Sequence, residues 1–235
     1  MEFDEQSLQR VRQGRLLISR YDDWLFDEFQ SFLGQRILEI GCGLGNLLSR
    51  FTDRQLVIGI ETSEAAVLET RQRFQDFRNI HVLAKDITQP DIFMLGDLYI
   101  DTIISLNVFE HLEYDELALR NCMKLLQPRG YLILIVPAHQ FLYGEMDRSI
   151  GHYRRYSKSS LHKKLERAGF GVISQKYLNM VGAMGWWFNG CFLSKRTPPD
   201  GQLKLFNTIV PILRAMENMG GAPFGISLLS ISQKP

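Results

Sequence analysis

The stretch Arg36-Ile-Leu-Glu-Ile-Gly-Cys-Gly-Leu-Gly-Asn46 limits what this chain can fold into more than any other. Ile37, Leu38 and Ile40 suit a buried strand of the length found in parallel sheets, and the run ends abruptly in three closely spaced glycines. Gly41, Gly43 and Gly45 remove the Cβ atoms that would keep a ligand off the main chain. Asn46-Leu-Leu-Ser-Arg-Phe51 then predicts the opening of a helix. Strand, glycine turn and helix form the nucleotide-binding half-unit of a doubly wound α/β fold, a Rossmann-like sheet with helices on both faces.

The glycine spacing narrows the ligand. Dinucleotide turns want G-x-G-x-x-G, whereas here the third glycine comes one residue early and an acid, Glu39, stands before the first. This combination resembles motif I of the class I S-adenosylmethionine-dependent methyltransferases. The resemblance implies that Glu39, Gly41, Cys42, Gly43, Gly45 and Asn46 line the cofactor, with the glycines admitting its methionine portion. A tight turn without a ligand also explains a glycine triplet, so the reading needs partners further along.

Leu56-Val-Ile-Gly-Ile60 predicts a second buried strand, ending in Glu61 and Thr62. A carboxylate at that position can take both hydroxyls of a ribose at once. The alternative is an acid at the start of a helix from Glu64 to Phe74 capped by Ser63. Ile80–Lys85 predicts a third strand, followed by Asp86 and Ile87, an acid for an adenine amine and an apolar side chain for its ring. Asp101–Leu106 predicts the fourth strand, continued by Asn107-Val-Phe-Glu-His-Leu112 into a helix. Ala118, Leu119, Cys122, Met123, Leu125 and Leu126 give a helical apolar face, and Pro128-Arg-Gly130 leads into a fifth strand, Tyr131–Val136. These motifs extend the methyltransferase resemblance from Arg36 to Pro137. It implies that Asn107 lines the cofactor cleft and that His111 faces it, although His111 also suits a histidine at a helix start.

Beyond strand five, reactive groups crowd together in Pro137-Ala-His139, Leu142–Arg148 and Gly151-His-Tyr-Arg-Arg-Tyr156. His139 and His152 are candidate bases because their intrinsic pKa lies near neutrality. Tyr143, Arg154 and Arg155, interleaved with aromatics, suit an anionic or hydroxyl-rich acceptor, against the alternative of a solvated basic loop. His139, Glu145, Asp147 and His152 match no compact ligand spacing, so no metal is expected. The G-H-Y-R-R-Y stretch resembles a bacterial subgroup of these methyltransferases. A helix follows, capped by Ser157 or Ser159 and burying Leu161, Leu165 and Ala168.

Val172–Tyr177 predicts a sixth strand and Ile226–Ile231 a seventh. The family's pattern implies the sheet order 3-2-1-4-5-7-6, mostly parallel with the seventh strand antiparallel. Residues 178–225 then form a mostly helical apolar insertion. There Leu205, Ile209, Ile212, Met216 and Met219 keep helical spacing around Pro211, after a Pro198-Pro-Asp-Gly201 turn. An accessory core, a substrate lid, a homodimer surface and a peripheral membrane contact all suit it. Residues 1–34 predict a helical segment whose Leu25, Phe29 and Phe32 form one stripe, with Tyr21 and Trp24 as core rather than ligand cover.

With 235 residues, 45% hydrophobic and 23% charged, the chain suits a single domain. A net charge of +1 disfavours nucleic acid as partner. Three widely spaced cysteines, no leader-like amino terminus and no apolar run of ~20 residues suit a cytoplasmic protein without a membrane span. The expected activity is transfer of a methyl group from S-adenosylmethionine to a small or lipid-linked acceptor. An NAD(P)-dependent oxidoreductase and a non-catalytic binding module on the same fold are the alternatives.

Overall fold

The computed structural model describes residues 17–193, 195, 197 and 199–235. The expectations resting on residues 1–16 and on Pro198 lie outside the described residues. In chain order the elements are α1 (Ser19–Asp27), β1 (Arg36–Ile40), β2 (Leu56–Glu61), α2 (Glu64–Arg73), β3 (Ile80–Ala84) and β4 (Ile100–Leu106). Then come α3 (Asp115–Leu125), β5 (Leu126–Pro137), α4 (Glu145–Ser149), α5 (Lys158–Arg167) and β6 (Gly171–Leu178). The last are α6 (Met180–Trp186), which runs on as a π-helix over Trp187–Phe192, α7 (Asp200–Gly220) and β7 (Ser227–Gln233). One seven-stranded sheet has the order β3-β2-β1-β4-β5-β7-β6, with β7 antiparallel, as the motif order implies.

The chain divides into two compact units, described separately. The first comprises Phe32–Ile135, Leu161–Ser174 and Ser230–Pro235. Its parallel strands are apolar on both faces because helices cover both, and Ile37, Leu38, Val57, Ile103, Ile104 and Leu132–Ile135 are fully enclosed. The Asp101 carboxylate accepts the main-chain N–H of Gln35 (2.8 Å) and Arg36 (3.0 Å), fixing where β1 starts. Ser63 caps α2, its hydroxyl accepting from Ala66 N.

Three elements of this unit differ from expectation. The helix expected from Asn46 is a single 3-10 turn, Leu48–Arg50. Arg73 holds the Leu44 carbonyl (2.8 Å) and the Asn46 side chain (3.1 Å), so the chain is still part of the turn at Asn46. After β4 a 3-10 turn, Phe109–His111, precedes α3, which begins only at Asp115. β5 starts at Leu126, five residues before Tyr131, because Leu126 already pairs with Ile100 across a register shift.

The second unit comprises Val136–Ser160, Gln175–Leu229 and the described residues through Ser31. In α1, Trp24 and Leu25 are buried, and the Tyr21 hydroxyl shares a 3.0 Å hydrogen bond with Ser227 Oγ, so these aromatics are core. Ser157, not Ser159, caps α5, its Oγ accepting from Ser160 N at 3.1 Å. The apolar stripe of α7 is a correction to the accessory-core expectation, for Leu205, Ile212, Met216 and Met219 are exposed, Met219 by 90%. The inward residues are Val210 and Glu217. Glu217 accepts the N–H groups of Asn179 (3.0 Å) and Met180 (2.8 Å) at the amino end of α6, where a carboxylate complements both the orphan donors and the helix dipole. On the α1 side, Asn207 Oδ1 accepts from Arg20 N (3.0 Å) and Asp27 accepts from Arg214 (2.7 Å). These polar bonds set the rotation of α7 and turn its apolar face outward.

Candidate functional site

The glycine turn leaves β1 with φ of +72° at Gly41, +51° at Gly43 and +76° at Gly45, a region that side chains resist. The main chain of β2 anchors its start, since the Ile60 carbonyl accepts from Gly41 N (2.8 Å) and Cys42 N (3.1 Å). From α2, Thr70 Oγ1 donates to the Gly43 carbonyl at 2.8 Å, beside the Arg73 contacts. Thr70 and Arg73 thus hold the turn, a part the sequence alone did not indicate for them. Their one signal is the i, i+3 spacing that puts both on the same helix face.

Glu61, at the end of β2, reaches back into this turn. Its Oε2 accepts from Gly43 N (3.0 Å), and Oε1 accepts from Thr62 N (2.9 Å), Ser63 N (3.1 Å) and Thr62 Oγ1 (3.3 Å). Lys85 N donates to the Glu61 carbonyl at 3.1 Å, and Glu61 is register partner of Ala84. Asp86 therefore follows at the same end of the sheet. Its Oδ1 accepts from Thr88 N and Oγ1, both at 2.8 Å, and the buried Ile87 is held through its carbonyl by Asn121. Asn107 sits in the left-handed region at φ +54°, its N–H on the Ile135 carbonyl (2.8 Å), and His111 is half-buried in the turn that follows.

Glu39 is buried on β1 and Cys42 is buried in the turn, while Asn46 and Thr62 flank the turn and β2. Burial, reinforced by the charges of Glu39 and Glu61, pushes the Cys42 thiol far up, so it is protonated. Gly59 on β2 lets it pack there, for a Cβ at Gly59 would lie 2.7 Å from Cys42 Sγ. At Gly43 an added Cβ would meet nothing within 4 Å, whereas at Gly45 it would lie 2.5 Å from the Phe74 ring. The turn is thus walled behind Gly45 and open at Gly43.

In the second unit, Ala138 pairs with Tyr156 in an isolated parallel bridge, and His139 N donates to the Tyr156 carbonyl at 2.8 Å. His139 has φ +62°, a costly conformation for a residue with a side chain, and its ring lies 4.3 Å from that of Tyr177. Its Nε2 is buried without a hydrogen-bond partner. Burial, and then the charge of Arg155, lower its pKa, so the ring is neutral near pH 7.

Asp147, fully enclosed in α4, gathers four donors. Oδ1 accepts from His152 Nδ1 (2.7 Å) and Arg155 Nε (2.8 Å); Oδ2 accepts from Gly144 N (3.0 Å) and Trp186 Nε1 (3.2 Å). Burial alone would raise its pKa, but the His152 hydrogen bond and the Arg155 charge outweigh it and hold the carboxyl below its usual range. Arg155 is itself buried, with Nη1 on the Ala138 carbonyl (3.2 Å) and its guanidinium over the Trp186 ring (4.9 Å). Tyr143 donates to the His152 carbonyl at 2.6 Å, and Arg154 lies over the Tyr153 ring. Of the expected His139, Tyr143, His152 and Arg155, the structure joins His152 and Arg155 through Asp147, and neither this role of Asp147 nor the parts of Trp186 and Tyr177 were indicated by the sequence. Asp147 carried a signal only as a possible metal ligand.

Residues 38–132 match a family profile described as "Methyltransferase domain". Over that stretch, less than half of the chain, it is similar to the methyltransferase domain family. It is 28% identical over 142 residues to a Mycolicibacterium smegmatis protein named "Probable S-adenosylmethionine-dependent methyltransferase", covering 59% of this chain and 53% of that one. It is 30% identical over 101 residues to a "Ubiquinone biosynthesis O-methyltransferase" of Alkalilimnicola ehrlichii, covering 43% of this chain and 40% of that one. The chain thus spans about half or less of the curated relatives it matches. A crystal structure of an S-adenosylmethionine dependent methyltransferase from Mesorhizobium loti shares the fold of the domain and its surroundings. The TM-score is 0.63 at 16% identity, over 90% of this chain and 98% of that one.

Proposed function

We propose that this chain transfers a methyl group from S-adenosylmethionine to a small or lipid-linked acceptor bearing a hydroxyl or anionic group. The observation that carries the cofactor assignment is the pair of carboxylates, Glu61 and Asp86, ending adjacent parallel strands beside a side-chain-free turn open at Gly43. That donor set fits the group: Glu61 would hold the ribose, Asp86 and Ile87 the adenine, and Gly41, Gly43 and Gly45 the methionine portion, with Asn107 and His111 bordering them. Glu61 Oε2 has a single hydrogen bond, so it keeps accepting capacity for a ribose hydroxyl. The cofactor supplies a sulfonium-activated methyl, so the protein's task is to bind, orient and exclude water.

His139, Tyr143, His152, Arg154 and Arg155 are assigned to the acceptor. A neutral imidazole with an unused buried nitrogen, as at His139, is a group able to take a proton. The three unbridged cysteines suit the reducing cytoplasm. Among the described residues no helix is long and apolar enough to cross a membrane. Methyl transfer from radiolabelled S-adenosylmethionine into fractionated bacterial extract tests the reading, comparing intact protein with His152→Ala. Label appearing in one fraction, and lost with the variant, is the expected result. Cofactor binding without transfer to any fraction would favour a binding module, and protection by NAD but not by S-adenosylmethionine would favour an oxidoreductase.

A further inference from the structure

We infer that Thr70, fully enclosed on α2, is a positioning residue whose hydroxyl holds the Gly43 peptide in the orientation that the methyl donor meets. The inference deepens the cofactor reading above and rests on it. Every residue it uses belongs to the first compact unit.

A threonine inside a helix ordinarily returns its hydroxyl to a carbonyl one turn back. Thr70 instead donates from Oγ1 to the Gly43 carbonyl at 2.8 Å, a residue distant in sequence. On the other side of the same glycine, Glu61 Oε2 accepts the Gly43 N–H at 3.0 Å. Both peptide groups flanking Gly43 are therefore fixed, one from α2 and one from the end of β2. Glycine has the most backbone freedom to lose, and Gly43 is held at φ +51° between two more glycines, so without its clamps this turn samples other conformations.

The methyl of Thr70 acts separately from the hydroxyl. A Cβ added at Gly45 would lie 2.9 Å from Thr70 Cγ2, so the methyl is part of the wall behind Gly45. One side chain thus supports two glycines through two different groups. With the hydroxyl removed, the donor left to the Gly43 carbonyl among the described residues is the Cys42 thiol, a weak one at 4.0 Å. A ligand then binds only the fraction of molecules whose turn is in place, and the apparent Kd rises by the inverse of that fraction. A hydroxyl that served only to stabilise the fold would support free and bound protein alike and leave the Kd unchanged.

The test is isothermal calorimetry with S-adenosylhomocysteine, well below the melting temperature, on the parent protein, Thr70→Val and Thr70→Ser, each checked for folding by its melting curve. Valine keeps a methyl and loses the hydroxyl, whereas serine keeps the hydroxyl and loses the methyl. Thr70→Val should raise the Kd about three- to tenfold, and Thr70→Ser should stay within about twofold of the parent. Should Thr70→Val not fold, Thr70→Ala takes its place, since it differs from Thr70→Ser by the hydroxyl alone. Amide hydrogen exchange in the ligand-free protein reads the clamp itself: the Gly43 N–H should exchange faster once the hydroxyl is gone and slow again under saturating S-adenosylhomocysteine. A folded protein without the hydroxyl that keeps the parent Kd, or the parent exchange rate at Gly43, overturns the positioning role. Equal losses of affinity with and without the hydroxyl assign the effect to packing and overturn it as well. Failure of the parent protein itself to bind S-adenosylhomocysteine is a separate result, which overturns the cofactor reading and this role with it.

Discussion

The Glu61 carboxylate accepts the main-chain N–H of Gly43 at 3.0 Å, so the end of β2 directly holds the middle of the turn that leaves β1. An acid that organises a turn and is also assigned to the ribose affects binding twice when removed. Glu61→Ala should weaken S-adenosylhomocysteine binding by about 1.5–3 kcal/mol, the range for a hydrogen bond to a charged group. Isothermal calorimetry checks this, and unchanged affinity would refute the assignment.

Gly43 and Gly45 share a left-handed backbone but differ in what surrounds them. Alanine at Gly43 pays only the backbone strain, about 1–2 kcal/mol, whereas alanine at Gly45 must also displace Phe74 and Thr70. Melting temperature should therefore fall further for Gly45→Ala. Cofactor affinity relative to stability should fall further for Gly43→Ala, because the open space there is the space assigned to the ligand. Normal cofactor affinity in a folded Gly43→Ala protein would mean that the space serves something else.

Acid should destabilise this protein in two stages. The pKa of His139 is lowered by burial and by Arg155, so below the ordinary histidine value of about 6.5 the unfolded chain binds a proton that the folded chain resists. Stability is therefore lost as pH falls through that range. Asp147, whose pKa is also lowered, adds a second loss only near and below the ordinary carboxylate value of about 3.9. Urea unfolding between pH 8 and 5 should show a declining midpoint that flattens in His139→Gln, and a midpoint indifferent to that substitution would count against the first stage.

Glu217→Ala should cost about 1–3 kcal/mol, since it strips the two N–H groups at the start of α6 of their acceptor. Met219→Gln, at the exposed end of the α7 stripe, should stay within about 0.5 kcal/mol of the parent protein. Denaturant titration of both variants decides which face of α7 is the packed one; a large loss at Met219 would reverse the assignment.

The two helices of the late insertion show where sequence reading stops. The spacing of Leu205, Ile212 and Met216 reports an apolar stripe correctly, but periodicity carries no information on which way a helix turns it. That was decided by Glu217 reaching the start of α6 and by Asn207 and Arg214 reaching α1, pairings between residues distant in sequence. Gly41, Gly43, Glu61 and Asp86 were legible because each answers a local demand, a left-handed backbone or an acid at a strand end, visible within a few residues. Thr70 and Arg73 serve the same turn from a helix, where polar residues on a surface look alike whatever they hold. Asp147 was hidden for a related reason: its four donors come from its own loop and from Trp186, and no spacing rule joins them.

A sulfur atom shares the turn assigned to the methyl donor, and as a thiolate it would be among the most nucleophilic groups in the protein. Enclosed against Gly59 and facing the negative charges of Glu39 and Glu61, Cys42 keeps its proton. On the proposed reading, burial, reinforced by the two acids, keeps this thiol from competing for a methyl group held in the turn beside it.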